Sequence, residues 1–167
     1  MIGAKVPVFE HTDAFGNKFN FSSCLGRIII VSLGDKRSRI EDSFWSSWEN
    51  LYQLPGGTLF VNVYFPGGLS PAVPRGEVVH RIRRSINERT AEVIATAPAE
   101  RKKFLQDLEI HWVIDWDRDI CGSYYAPRHE IILFLVDRKG KIRDYYLKSE
   151  CRLDDFLGNV KKVESEK

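Results

Sequence analysis

Two periods of apolar residues alternate along this chain. Phe19-Asn20-Phe21 alternates apolar and polar as a short strand does, just after the turn-forming run Phe15-Gly16-Asn17-Lys18. After Gly26, Ile28-Ile29-Ile30-Val31-Ser32-Leu33 is apolar on both faces and β-branched, which predicts a strand covered on both sides. Residues 58–65 form a second such strand, with Leu59, Val61 and Val63 on one face and Phe60 on the other. A third, shorter strand spans 111–114. Residues 131–136 and 141–147 flank Asp137-Arg138-Lys139-Gly140, a hairpin signal with a glycine in the turn.

Between these strands the period changes to that of a helix. Ser38-Arg39-Ile40-Glu41 is a capping box, a hydroxyl cap with a carboxylate three residues on. Phe44, Trp45, Trp48, Leu51 and Tyr52 then give one broad apolar face, ended by Leu54-Pro55-Gly56-Gly57. Residues 77–96 carry Val79, Ile82, Ile86 and Val93 at helical spacing, and Pro98 separates them from a second helix over 99–108. A short helix fits 117–125. Leu153, Phe156, Leu157 and Val160 mark a closing helix, with Asp154 and Asp155 in the first turn, where the helix dipole favours acids. Residues 66–76 hold three prolines and three glycines and read as a loop. The order β-β-α-β-α-α-β-α-β-β-α predicts an α/β fold in which the early strands are parallel and the closing hairpin makes the sheet mixed. One domain covers 1–160, and residues 161–167 read as a polar, fraying tail.

Composition narrows the functions available. The chain has 167 residues and a net charge of +2, from 25 Lys and Arg against 23 Asp and Glu. That balance argues against nucleic-acid or anionic-membrane binding as the main task. No apolar run approaches the roughly 20 residues of a membrane helix, and the N-terminal residues lack the apolar core of a signal peptide. Three cysteines, an odd number in a chain of this size, favour reduced thiols and a cytoplasmic setting; an exported, periplasmic protein is the expectation only if a leader has been removed. The partners left open are a protein or a small anionic ligand, with a homodimer also possible. Nothing in the sequence calls for a cofactor.

The chain resembles the thioredoxin-like superfamily, in its peroxiredoxin and TlpA-type branch. The resemblance is carried by Val6-Pro7-Val8-Phe9 with Phe15-Gly16-Asn17-Lys18-Phe19, by Gly26-Arg27 before the strand 28–31, by Val113-Ile114-Asp115, and by Phe134-Leu135-Val136-Asp137-Arg138-Lys139-Gly140-Lys141-Ile142. It implies a three-layer α/β/α sandwich with a central mixed sheet, a C-terminal hairpin and a last helix. It also implies a redox centre after the first long strand, and there the sequence departs. Ser38 stands where the nucleophilic cysteine of that branch belongs, and Glu41 where its second cysteine belongs. A hydroxyl is a far weaker nucleophile than a thiolate and forms no disulfide. The cis-proline of the branch falls near Ile131, with Pro127 the only proline nearby, and the peroxiredoxin arginine is equally missing, Arg128 lying three residues early.

Several groups remain as candidates. Ser38 reads as a helix cap or as a ligand-facing hydroxyl. Lys36, Arg37, Ser38 and Arg39 surround a helix start whose free N–H groups suit a phosphate or carboxylate, or are simply solvated. Cys121 and Cys151 each precede or open a helix, a position that lowers a thiol pKa. They are either a relocated redox pair or two unrelated thiols, and Cys24 belongs at the opposite end of the sheet. Asp115, Asp117 and Asp119 alternate like the start of a calcium loop, but Ile120 replaces the glycine and Ala126 the twelfth-position Glu, so they read as turn and cap residues. No histidine or cysteine spacing matches a metal site. His80, Arg81, Arg83, Arg84 and Arg89 make the 77–96 helix basic, a solvated face or a docking surface for an acidic partner. Of Trp45, Trp48, Trp112 and Trp116, most belong to the core and one or two to an interface. The chain therefore reads as a redox-inactive, thioredoxin-like binding or protein-interaction module. Its alternative is a thiol-disulfide or peroxide oxidoreductase working through Cys121 and Cys151.

Overall fold

The β-branched run after Gly26 sits at the centre of the sheet, as its two apolar faces require. A computed structural model describes residues 1–35, 54–67, 72–126, 130–147 and 153–166. Its strands are β1 (Glu10–Thr12), β2 (Lys18–Asn20), β3 (Ile29–Asp35), β4 (Leu59–Phe65), β5 (Ile110–Ile114), β6 (Ile132–Val136) and β7 (Ile142–Leu147). The helices are α1 (Arg75–Thr96), α2 (Ala99–Gln106), α3 (Asp119–Ser123) and α4 (Leu153–Ser165), with a 3-10 turn at Phe21–Cys24. The helix expected from Ser38 lies outside the described residues, as do Lys36, Arg37, Arg39, Pro127, Arg128 and Cys151.

Five strands form one sheet in the order β5-β4-β3-β6-β7. β3, β4 and β5 run parallel, while β6 runs antiparallel to β3 and β7 antiparallel to β6. The two-residue period splits the side chains cleanly. Ile29, Val31, Leu33, Val61, Val63, Phe134 and Val136 pack on one face against Phe19, Phe21, Tyr124 and Cys121. Ile30, Phe60, Leu133 and Leu135 pack on the other against Val93, Leu105, Phe156, Leu157 and Val160 of the long helices. The layers are the long helices, the sheet, and a thinner cover made by the β1–β2 hairpin, the 3-10 turn and α3.

Two expectations need correction. The closing helix does not stop at residue 160: α4 runs to Ser165 because Val163 continues its apolar stripe and is buried in the core. Glu166 also pairs with Arg143 at 2.8 Å, so the segment expected to fray is anchored. Helix α1 begins at Arg75, two residues before Glu77, because Pro74 is its N-cap and its carbonyl accepts from the Glu77 and Val78 amides.

Charge on α1 is largely balanced within the helix. Arg81 pairs with Glu77, Arg84 with Glu88 at 2.7 Å, and Arg89 with Glu92 at 2.6 Å. Exposed pairs at this spacing add little to stability, but they offset the charge of Arg81, Arg84 and Arg89 on the face expected to be basic, leaving Arg83 without an acid partner among the described residues. The β6–β7 turn is set by Asp137, whose carboxylate accepts from the Lys139 and Lys141 amides at 2.9 Å and from Arg143 at 3.2 Å. Gly140 takes a left-handed conformation there, with φ of 72°. The N-terminal residues zip onto the same corner: Gly3 N–H donates to the Ile142 carbonyl, Ile142 N–H to Ala4, and Val6 N–H to Gly140.

Candidate functional site

Parallel strands in an open α/β sheet direct their C-terminal ends toward one rim, where ligands and catalytic groups collect. At that rim β3 ends in Asp35, β4 in Tyr64 and Phe65, and β5 is followed at once by Asp115. Asp115 is 1% exposed. Its amide donates to the Tyr64 carbonyl, and its carboxylate accepts from the Cys121 amide at 2.8 Å. It thus caps the first turn of α3 from outside the helix, which is why a five-residue helix forms here at all.

The chain is drawn tight around this cap. Arg118, immediately before α3, adopts left-handed φ of 64°, and Tyr125, just after it, adopts φ of 53°. Such conformations cost a non-glycine residue about 1 kcal/mol or more. The Arg118 guanidinium donates to the Ala126 carbonyl at 2.7 Å and lies 5.9 Å from the Phe65 ring centre. Tyr124 is buried, donates to the Pro7 carbonyl at 3.0 Å, and has its phenol pushed up by burial. Tyr125 projects outward, 83% exposed.

Among the described residues, Cys121 is the thiol near this rim. It is 4% exposed, and its pKa rises from 9.0 to about 12. Burial is the largest cause. The Asp115 carboxylate comes next, by charge and as an acceptor for the protonated thiol, and Asp35 adds a smaller push, against a partial offset from Arg118. The expected lowering at a helix start is therefore reversed: the helix is too short for much dipole, and the Cys121 amide already donates to the Asp115 carboxylate. Cys24 is also buried, its thiol pushed up by burial, and it lies in the 3-10 turn beside Gly26 and Arg138 at the opposite end of β3. That placement sets it at the far end of the sheet from Cys121, as expected, while Cys151 lies outside the described residues.

The remaining candidates are scattered. Among the described residues every peptide is trans, the one before Ile131 included. Of the alternating acids, Asp115 caps α3, Asp117 lies 3.7 Å from Arg75, and Asp119 is in the first turn of α3. Among the described residues no three metal-ligating side chains gather. Sequence reasoning passed over a cleft between the β1–β2 hairpin and α1, lined by Lys18, Val79, Arg83, Ile114 and Trp116. Its only sequence signal is Val79 and Arg83 one helical turn apart.

No family model matches the sequence, and no curated protein is similar to it. Solved structures are similar over nearly the whole chain. A thiol:disulfide interchange protein from Bacteroides sp. matches at 17% identity with a TM-score of 0.59, covering 100% of this chain and 93% of its own. A secreted Mycobacterium tuberculosis disulfide oxidoreductase matches at 13% and 0.58, over 92% of this chain and 95% of its own. The mitochondrial 2-Cys peroxiredoxin of Plasmodium falciparum matches at 12% and 0.61, over 98% and 94%. The chain therefore has a thioredoxin-like fold, of the kind shared by TlpA-type thiol-disulfide proteins and peroxiredoxins.

Proposed function

We propose that this chain is a binding module on a thioredoxin-like scaffold, with no working thiol redox centre. One observation carries the reading. The thiol at the described rim, Cys121, is buried beside the carboxylate of Asp115, and both features keep it protonated. A redox cysteine needs the reverse, an accessible thiolate in positive surroundings. Ser38 and Glu41 at the positions of the usual cysteines point the same way. The ligand side of the proposal rests on Lys36, Arg37, Ser38 and Arg39, three cations and a hydroxyl at the start of an expected helix, suited to a phosphate, a carboxylate or an acidic segment of a partner protein. The thiols fit a reducing, cytoplasmic setting. Among the described residues no helix is long and apolar enough to cross a membrane.

The competing reading is an oxidoreductase in which Cys121 and Cys151 attack and resolve. It is supported by the activities named for the similar structures. The two are separated by titrating the folded protein's thiols with and without hydrogen peroxide and mapping any disulfide by mass. The binding-module reading expects Cys121 to react slowly and no specific bridge to form. A fast, stoichiometric bridge between Cys121 and Cys151 would overturn it.

A further inference from the structure

A cleft beside β5 lies apart from the rim and is used by nothing described so far. Its volume is about 720 Å³, within the range of roughly 300–1,000 Å³ typical of small-molecule sites. β5 is an edge strand, paired only with β4 in the sheet. The hairpin reaches its free edge through the Ala14 amide, which donates to the Trp112 carbonyl at 2.6 Å, and a bridge between Asp13 and Val113. Helix α1 crosses the opening, and the space between hairpin, helix and strand end is the cleft.

Its lining divides by chemistry. Phe19, Val79, Ile114 and Trp116 form an apolar surface, with Phe19 and Ile114 themselves buried. The acids are occupied by the hairpin. Asp13 accepts from the Phe15 amide at 2.9 Å, the Asn17 amide at 2.8 Å and the Asn17 side chain at 3.1 Å. Glu10 accepts from the Asn20 side chain at 2.6 Å. The cations are not so occupied. Arg83 donates through Nε to the Ala14 carbonyl, which fixes its guanidinium plane, and its two terminal nitrogens have no partner among the described residues. Lys18 likewise forms no ion pair among the described residues. Glu10 keeps one carboxylate oxygen, and His11 and Thr12 also line the hairpin side, but the charged donors left over are those of Arg83 and Lys18, next to an aromatic and aliphatic floor.

We infer that this cleft binds a small organic acid, its carboxylate held by Arg83 and Lys18 and its flat apolar body lying against Trp116, Ile114 and Val79. A guanidinium held in one plane by its own backbone bond loses little freedom on meeting a carboxylate, and such charge-assisted bonds are the strong ones. The apolar floor supplies the burial that a bare ion pair in water lacks. The inference does not rest on the state of the thiols, since no thiol of the described residues lines the cleft.

The probes are 1-naphthylacetate and its uncharged amide, followed by calorimetry and by amide and indole N–H shifts of the full chain. The acid is expected to move the Trp116 indole signal and the hairpin amides, and to bind at least tenfold tighter than the amide. Arg83→Gln and Lys18→Gln should each remove most of that preference. Because Arg83 also holds the Ala14 carbonyl, Lys18→Gln decides the matter should Arg83→Gln fail to fold. Equal binding of acid and amide, shifts confined to other parts of the chain, or no binding at all would overturn the assignment.

Discussion

Replacing Asp115 by Asn isolates the electrostatic part of the environment of Cys121. The side chain keeps its shape, and its oxygen can still accept from the Cys121 amide, so the cap is retained while the charge is removed. In the parent protein the thiol is raised from 9.0 to about 12, a difference of three units. At pH 8 that lowers the thiolate population on the order of a thousandfold relative to a free cysteine. Burial, the largest cause, survives the substitution, so the thiol stays well above an ordinary cysteine. A neighbouring charge commonly accounts for about one unit, which sets the expected gain near tenfold. The assay is alkylation by iodoacetamide between pH 7 and 9.5, read by mass for each cysteine peptide so that Cys24 serves as an internal reference. The Cys121 rate should rise about tenfold in Asp115→Asn while the Cys24 rate stays put. The same linkage acts on stability. The folded state holds the Cys121 proton more tightly than the unfolded chain, so this contribution is complete below pH 9 and is lost as pH climbs from 9 toward 12. An unchanged or slower Cys121 rate in Asp115→Asn, or a parent thiol that alkylates as fast as free cysteine, would refute the argument.

Two further substitutions test the scaffold. Gly140→Ala places a Cβ at φ of 72° and 3.1 Å from Leu25 Cδ2; a loss of about 1–2 kcal/mol is expected from denaturant unfolding, and an unchanged midpoint would contradict the turn geometry. Val163→Ala tests the extension of α4: the buried side chain should be worth about 1–2 kcal/mol, whereas a fraying tail would give no change.

The sheet was legible because its strands declare themselves locally. Residues 28–33 and 131–136 are too apolar to be anything but doubly covered strands, and the alternation of Phe60 against Leu59 and Val61 assigned the faces that the packing shows. The last turn of α4 was not, since a lone Val163 among Lys161, Lys162, Glu164 and Glu166 looks solvated until the position of Arg143 is known. Cys121 illustrates a different limit. Its place in a helix is local information, but the sign of its pKa shift depends on Asp115 at the end of another element and on the depth of the sheet around it. The cleft is the extreme case, assembled from a hairpin, a helix face and a strand end separated by some thirty to a hundred residues, and no short window of sequence contains it.

The zipper formed by Gly3, Ala4 and Val6 against Ile142 and Gly140 also has a practical side. It seals part of a strand margin that would otherwise offer its amides and carbonyls to any passing chain, and such margins are where proteins begin to stick to one another. A variant trimmed past Ala4, or carrying a bulky fusion directly ahead of Gly3, is accordingly the version to watch for clumping on storage, even with Val6 still in the interior.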